Sequence, residues 1–188
     1  MDHEIWLIRH GETEWSLSGA HTGRTDLPLT EAGEQRARKI ATTLAGHSFA
    51  MVLTSPLRRA RRTCELAGFG GQAQLEPNLV EWDYGEYEGR TSDDIHRDRP
   101  GWDLFRDGVP GGETIEQVAR RAQAVIDRAL RAEGDVALFA HGHILRILAA
   151  CWLGLTPDSA RFFALGTAAI STLGHEHETG VIIRWNLQ

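Results

Sequence analysis

The chain has 188 residues, 41% of them apolar, and a formal charge of −6 from 20 Lys plus Arg against 26 Asp plus Glu. That length holds one domain with small insertions, excludes two independent catalytic domains, and supports a core that needs no covalent staple. The acidic balance argues against a general nucleic-acid or membrane-surface binder, although a cleft can gather positive potential locally whatever the total charge.

The first four residues carry no basic cluster ahead of the short apolar run Ile5-Trp6-Leu7-Ile8, so no signal peptide is expected. That run predicts a buried strand ending in a loop at Arg9-His10-Gly11. Thr30 before Glu31-Ala32-Gly33 opens a helix, continued by Ala37, Ile40, Ala41 and Leu44 up to Gly46. A short strand over 50–53 gives way at Thr54-Ser55-Pro56 to an arginine-rich helix over 57–66. Residues 77–112 mix aromatics with Gly, Asp and Pro and predict short helices and a covering loop. The longest helical pattern covers 114–130, with Val118, Ala122, Val125, Ile126 and Ala129 on one stripe and Gly134 ending it. Residues 136–140 repeat the first strand and end at His141-Gly142-His143, ahead of an apolar helix over 144–153. Segments 168–171 and 181–185 predict a closing hairpin that turns near Glu178-Thr179-Gly180.

Alternating strands and helices predict an α/β fold: a three-layer α/β/α sandwich with a mainly parallel, doubly wound sheet. A single domain over 1–188 is expected, with 82–115 as a small helical and loop cap. No apolar run approaches the roughly 18 residues of a membrane span. Cys64 and Cys151 are far apart and form no C-x-x-C pair, so neither a disulfide framework nor a thiolate zinc site is expected. A cytoplasmic protein with no cofactor, no nucleic-acid partner and no membrane partner is the reading; a homodimer is compatible with it.

His10 and His141 both stand directly after predicted buried strands and directly before a glycine. Ligands of open α/β sheets bind at the carboxyl ends of the strands, so the two imidazoles are expected to converge on one ligand. Arg9 adds a planar donor fork, and Arg58-Arg59 brings further arginines to a helix start whose dipole favours an anion. Together they predict a cradle for a phosphate dianion. Glu81, set among Trp82, Tyr84 and Tyr87, is expected to be desolvated and to hold a proton near neutrality for a leaving oxygen. His141-x-His143 and His175-x-His177 would chelate a metal only from extended segments, and the nearby arginines would repel a cation, so no metal site is expected.

The blocks Leu7-Ile8-Arg9-His10-Gly11-Glu12-Thr13-Glu14-Trp15, Thr25-Asp26-Leu27-Pro28-Leu29-Thr30, Ser55-Pro56-Leu57-Arg58-Arg59-Ala60, Glu81 with Glu88-Gly89, and Ala140-His141-Gly142 resemble the histidine phosphatase, or phosphoglycerate mutase-like, superfamily. The resemblance implies that His10 is the phosphorylated nucleophile, that Arg9, Arg59 and His141 bind the phosphoryl group, and that Glu81 is the proton donor. Arg59 is chosen over Arg58 because the family's arginine immediately precedes the position of Ala60. Ser16 replaces the usual asparagine, and Thr22-Gly23 stands where many family phosphatases have Gln-Gly; both are expected to line the phosphate site. Segments 81–89 and 139–146 resemble the sedoheptulose-bisphosphatase branch and its bacterial acid-phosphatase relatives. The implied activity is a metal-independent phosphatase acting on a small phosphorylated metabolite, with phosphoglycerate mutase-type transfer or a non-catalytic phosphate-binding module as alternatives. In that branch Arg146 and a tail histidine resembling His175 would meet a distal phosphate.

Overall fold

The apolar run near the N-terminus is continuous because the strand it forms is covered on both sides. The computed structural model describes residues 3–188; Met1 and Asp2, part of the segment read above for a leader, lie outside the described residues. In chain order the first half comprises β1 (Ile5–Arg9), α1 (Glu14–Ser18), α2 (Glu31–Thr43), β2 (Met51–Thr54), α3 (Arg58–Leu66) and β3 (Ala73–Leu75). The second comprises α4 (Ser92–Asp98), α5 (Leu104–Asp107), α6 (Ile115–Ala129), β4 (Val136–Ala140), α7 (Gly142–Trp152), β5 (Ile170–Glu176) and β6 (Thr179–Leu187).

Alternation along each strand feeds two cores. Ile5 and Leu7 of β1, with Val136, Leu138 and Ala140 of β4, pack against the stripe of α6 and the apolar face of α7. Trp6 and Ile8, with Ala137 and Phe139, pack against Ile40 and Leu44 at α2 and Cys64 and Ala67 at α3. Burying each large aliphatic side chain contributes about 1.5–3 kcal/mol. Any one-residue slip would exchange the two sets.

The six strands lie in the order β3-β2-β4-β1-β5-β6. The first four are parallel, and β5 and β6 form an antiparallel hairpin on β1. Arg9 pairs with Ala140, so His10 and His141 leave the sheet side by side; Thr54 pairs with Phe139, which brings Ser55 to the same edge.

Helix entry follows local chemistry. Thr30 accepts from the Gly33 N–H at 3.0 Å, and Thr114 forms a capping box with Gln117; such caps contribute about 1 kcal/mol each. Gly33, in the first turn of α2, touches the loop after β1 so closely that a Cβ on Gly11 would lie 2.5 Å from the Gly33 carbonyl oxygen. A Cβ on Gly33 would run into the Glu12 carbonyl oxygen. Main chain meets main chain here because neither residue has a side chain.

Four expectations shift. β3 goes beyond the sequence pattern: it is three residues long with Gln74 as its one polar residue, too short to show a period. Helix α6 stops at Ala129 with Leu130 as its cap, and Gly134 lies in the turn beyond. Helix α7 starts at Gly142 rather than 144, with His141 as its N-cap. The closing hairpin turns at His177-Glu178, with His177 at φ +56°, so Thr179 and Gly180 belong to β6.

Between β3 and α6 the chain makes short helices and turns. Trp82, Tyr84, Tyr87, Trp102 and Phe105 bury themselves in the α6–α7 core and fasten this segment down. Among the described residues no helix is long and apolar enough to cross a membrane.

Candidate active site

At the carboxyl edge of the parallel strands lies a cleft of about 240 Å³, lined among others by Arg9, His10, Glu81, Tyr84, His143 and Arg146. His10 is only 5% exposed. Its Nδ1 sits 2.6 Å from its neighbour's carbonyl oxygen, Gly11 O, so Nδ1 donates and Nε2 keeps its lone pair toward the cleft. Burial first, then the charges of Arg59 and Arg9, hold the ring well below the ordinary histidine range. The result is a neutral imidazole with one free nitrogen, a competent nucleophile at neutral pH.

Arg9 donates through Nη1 to the Leu165 carbonyl at 2.5 Å, while its Nε is buried without a protein partner. As a cationic, planar side chain lining the cleft, Arg9 fits an incoming anionic oxygen.

His141 differs from His10. It is fully buried, its Nδ1 accepts from Arg59 Nε at 3.1 Å, and its Nε2 therefore donates to Ser55 Oγ at 2.8 Å. Both nitrogens are committed, 5.2 Å ring-to-ring from His10. Arg59 is also fully buried, behind His141. Its Nη1 donates to the Thr25 carbonyl at 2.9 Å, and its Nη2 to those of Thr22 and Gly23 at 3.0 Å each. Expected as direct phosphoryl ligands, Arg59 and His141 here hydrogen-bond to protein groups, and neither is among the cleft-lining residues. The fork needs carbonyls because α3 delivers it beneath the loop that carries them. Arg58 is exposed, as expected of a solvated helix face.

Glu81 reaches the cleft, but its protonation is the reverse of expectation. Its carboxylate accepts three backbone N–H groups at 3.0 Å, from Trp82, His143 and Ile144, the last two from the first turn of α7. Burial pushes the carboxyl up; the proximity of His143 and the backbone N–H groups that the carboxylate accepts outweigh it and hold the group well below the carboxylate range. Aromatic surroundings alone would have raised it; the helix N-terminus was the missing consideration.

Ser16 and Thr22 line the cleft. Ser16 Oγ is engaged in the α1 capping box with Thr13, and Thr22 Oγ1 donates to the Ala20 carbonyl at 3.1 Å. Gly23 is buried behind the wall, where its N–H donates to the Glu88 carboxylate. Arg146 reaches the cleft with its guanidinium 4.7 Å over the Phe105 ring and Nε donating to the Ala160 carbonyl at 3.1 Å. His175 does not reach it. The antiparallel direction of β5 carries His175 past Leu173, the partner of Ile5 at the start of β1, to the opposite end of the sheet, where its ring lies tilted 4.7 Å from that of Trp152. The two H-x-H pairs are thereby separated, and among the described residues no three His, Cys, Asp or Glu side chains converge as metal ligands.

Five other residues complete the site. Ser55 receives the His141 proton. Glu88 gathers the N–H groups of Gly23 and Thr25. Arg121 donates to the carbonyls of Asn78 and Val80 and pairs with Glu113 at 2.8 Å, fixing the segment that presents Glu81. Tyr84 and His143 meet at 2.5 Å on the cleft wall. The H-G-H spacing could have signalled His143; nothing in the sequence marked Arg121, whose acceptors are carbonyls.

A family model described as histidine phosphatase superfamily (branch 1) matches residues 5–188. An acid phosphatase of Mycobacterium tuberculosis is 38% identical over 94% of this chain and 88% of its own length. A sedoheptulose 1,7-bisphosphatase of Saccharomyces cerevisiae is 38% identical over 79% of this chain and 67% of its own. A protein of Photorhabdus laumondii named probable phosphoglycerate mutase GpmB is 32% identical over 97% and 89%. Among solved structures, an open-reading-frame product of M. tuberculosis superposes with a TM-score of 0.95 at 35% identity, over 100% of this chain and 99% of the other. A mycobacterial glucosyl-3-phosphoglycerate phosphatase in complex with VO3 superposes with a TM-score of 0.89 at 26% identity, over 99% and 100%.

Proposed function

Since the chain belongs to the histidine phosphatase superfamily, we propose that it hydrolyses small phosphomonoesters, sugar phosphates among them, through a phosphohistidine on His10 and without a metal ion. The observation that carries this reading is the single free ring nitrogen of His10, held neutral and aimed at a cleft lined by the guanidinium-bearing Arg9. Acid phosphatase and sugar-bisphosphatase relatives support a phosphoric monoester hydrolase.

Arg9 takes the phosphoryl oxygens. His10 Nε2 forms the bond to phosphorus, the ester P–O bond breaks, and its electron pair leaves on the alkoxide, which takes a proton from Glu81. The resting Glu81 is ionised, so it takes up that proton from solvent when the phosphate dianion enters and disfavours a second negative charge beside it. Glu81 next removes a proton from water, whose oxygen attacks phosphorus as the N–P bond returns its pair to His10. Arg59 and His141 act from behind: they hold the Thr22–Thr25 loop and Ser55, and Arg59 supplies fixed positive charge. Residues 82–115 serve as the cap. Cysteine does not compete, since burial pushes the Cys64 thiol up to about 12. Two cysteines without a bridge fit a cytoplasmic enzyme.

The GpmB relatives favour a second reading, phosphoryl transfer between positions of a phosphoglycerate. Incubation with labelled substrate and rapid quenching separates the two. Acid-labile label on His10 followed by free phosphate supports hydrolysis; label returned to an isomer of the substrate supports transfer; label elsewhere rejects both.

A further inference from the structure

The steps above leave Tyr84 and His143 without a part. The Tyr84 ring is 2% exposed, and a buried hydroxyl needs an acceptor. The phenol has one hydrogen-bond partner among the described residues, His143 Nδ1 at 2.5 Å. The hydroxyl is therefore the donor and Nδ1 the acceptor, which places the proton of the neutral ring on Nε2. The rival arrangement, Nδ1–H toward Glu81, fails on distance: Nδ1 lies 3.8 Å from Oε2, and that oxygen already accepts the His143 backbone N–H. It would also strand the Tyr84 proton.

The other nitrogen, Nε2, has no protein partner among the described residues, and the imidazole is 21% exposed where it lines the cleft. The ring stands 5.4 Å from Phe105, 6.5 Å from Trp82 and 6.3 Å from His21 between centroids, which fixes its tilt. Arg146, one turn along α7, and Arg9 supply charge in the same cleft; His143 supplies a donor without charge.

We propose that His143 is a specificity-determining residue: Tyr84 holds its ring as the Nε2–H tautomer, presenting a neutral donor beside Glu81 to a hydroxyl or carbonyl oxygen on the carbons next to the scissile ester. This rests on the phosphatase reading and narrows it to hydroxylated phosphomonoesters over bare alkyl ones. Tyr84 is the positioning residue, acting through the ring.

Two measurements test it. Nitrogen-15 NMR of the intact protein labelled at histidine reads the tautomer directly: His143 should show a protonated Nε2 and an unprotonated Nδ1, and Tyr84→Phe should abolish that preference. Calorimetric binding to a His10→Ala background, which blocks phosphoryl transfer, compares glycerol 2-phosphate with isopropyl phosphate, a matched secondary ester lacking both hydroxyls. The hydroxylated ester should bind about tenfold tighter, the effect of one well-placed hydrogen bond. His143→Phe should erase the difference, while His143→Gln, whose amide N–H reaches the same position, should keep most of it. Equal binding of the two esters, no binding of either, or a ring protonated at Nδ1 overturns the proposal. Failure of the phosphatase reading is seen separately, as absence of phosphate release by the wild-type enzyme on either ester.

Discussion

Two strand ends in this molecule look alike in sequence and behave differently in structure. β1 and β4 both run as five apolar-rich residues into a histidine and a glycine, paired in register across the sheet. Yet His10 has one nitrogen held and one open, whereas His141 has both nitrogens held. In the function proposed above, a strand-end imidazole serves as nucleophile when the backbone takes its proton-bearing nitrogen and nothing takes the other. It becomes a support when an arginine donates to one side and a hydroxyl accepts on the other. The residue type fixes neither role; the hydrogen-bond count does.

The comparison breaks first on the nucleophile. His10→Ala is expected to lower turnover of an aryl phosphate by at least about 10⁴-fold, whereas His141→Gln should leave measurable turnover. Equal loss in both variants, by steady-state phosphate release, would abolish the distinction. Next, Arg59→Ala should cost roughly 10²–10³-fold in kcat and Arg58→Ala less than threefold, because a buried charge that also satisfies three carbonyls is being compared with a solvated one. Circular dichroism of both variants separates lost charge from lost fold.

Glu81→Gln should slow alkyl phosphates about 100-fold and aryl phosphates only a few-fold, since phenolate leaves without a proton. A uniform loss would confine Glu81 to the water step. The smallest effect per group is on stability. His10 and His141 are depressed in the folded protein, so the unfolded chain binds more protons below about pH 6.5. Stability is therefore present above that pH and falls as acid is added. Calorimetric melting between pH 7.5 and 5 should show a declining midpoint; a rising one would mean that the rings are charged at rest.

Legibility followed chain locality. The two cores were readable because β1 and β4 are apolar on both faces and α6 carries a stripe at helical spacing. His10, Arg9 and Glu81 were readable as residue types at strand ends or among aromatics. What stayed hidden depended on direction and partners. His175 lies in β5 beyond the segment 168–171 read as its strand, and only the antiparallel pairing with β1 shows that it points to the wrong end of the sheet. Glu81 drew its charge state from N–H groups 62 and 63 residues away, and Arg59 was consumed by carbonyls, which every residue carries and no motif marks.

The contact of Gly11 with Gly33 sets a limit on how this sequence can change. Both surfaces are main chain, so no second substitution elsewhere can make room for a methyl group on either residue. Ordinary core positions drift by exchange, one side chain shrinking as its neighbour grows. Here there is nothing to shrink. Any larger residue at either position must lift α2 off the loop that presents His10, and the two glycines must persist together for as long as that loop keeps its shape.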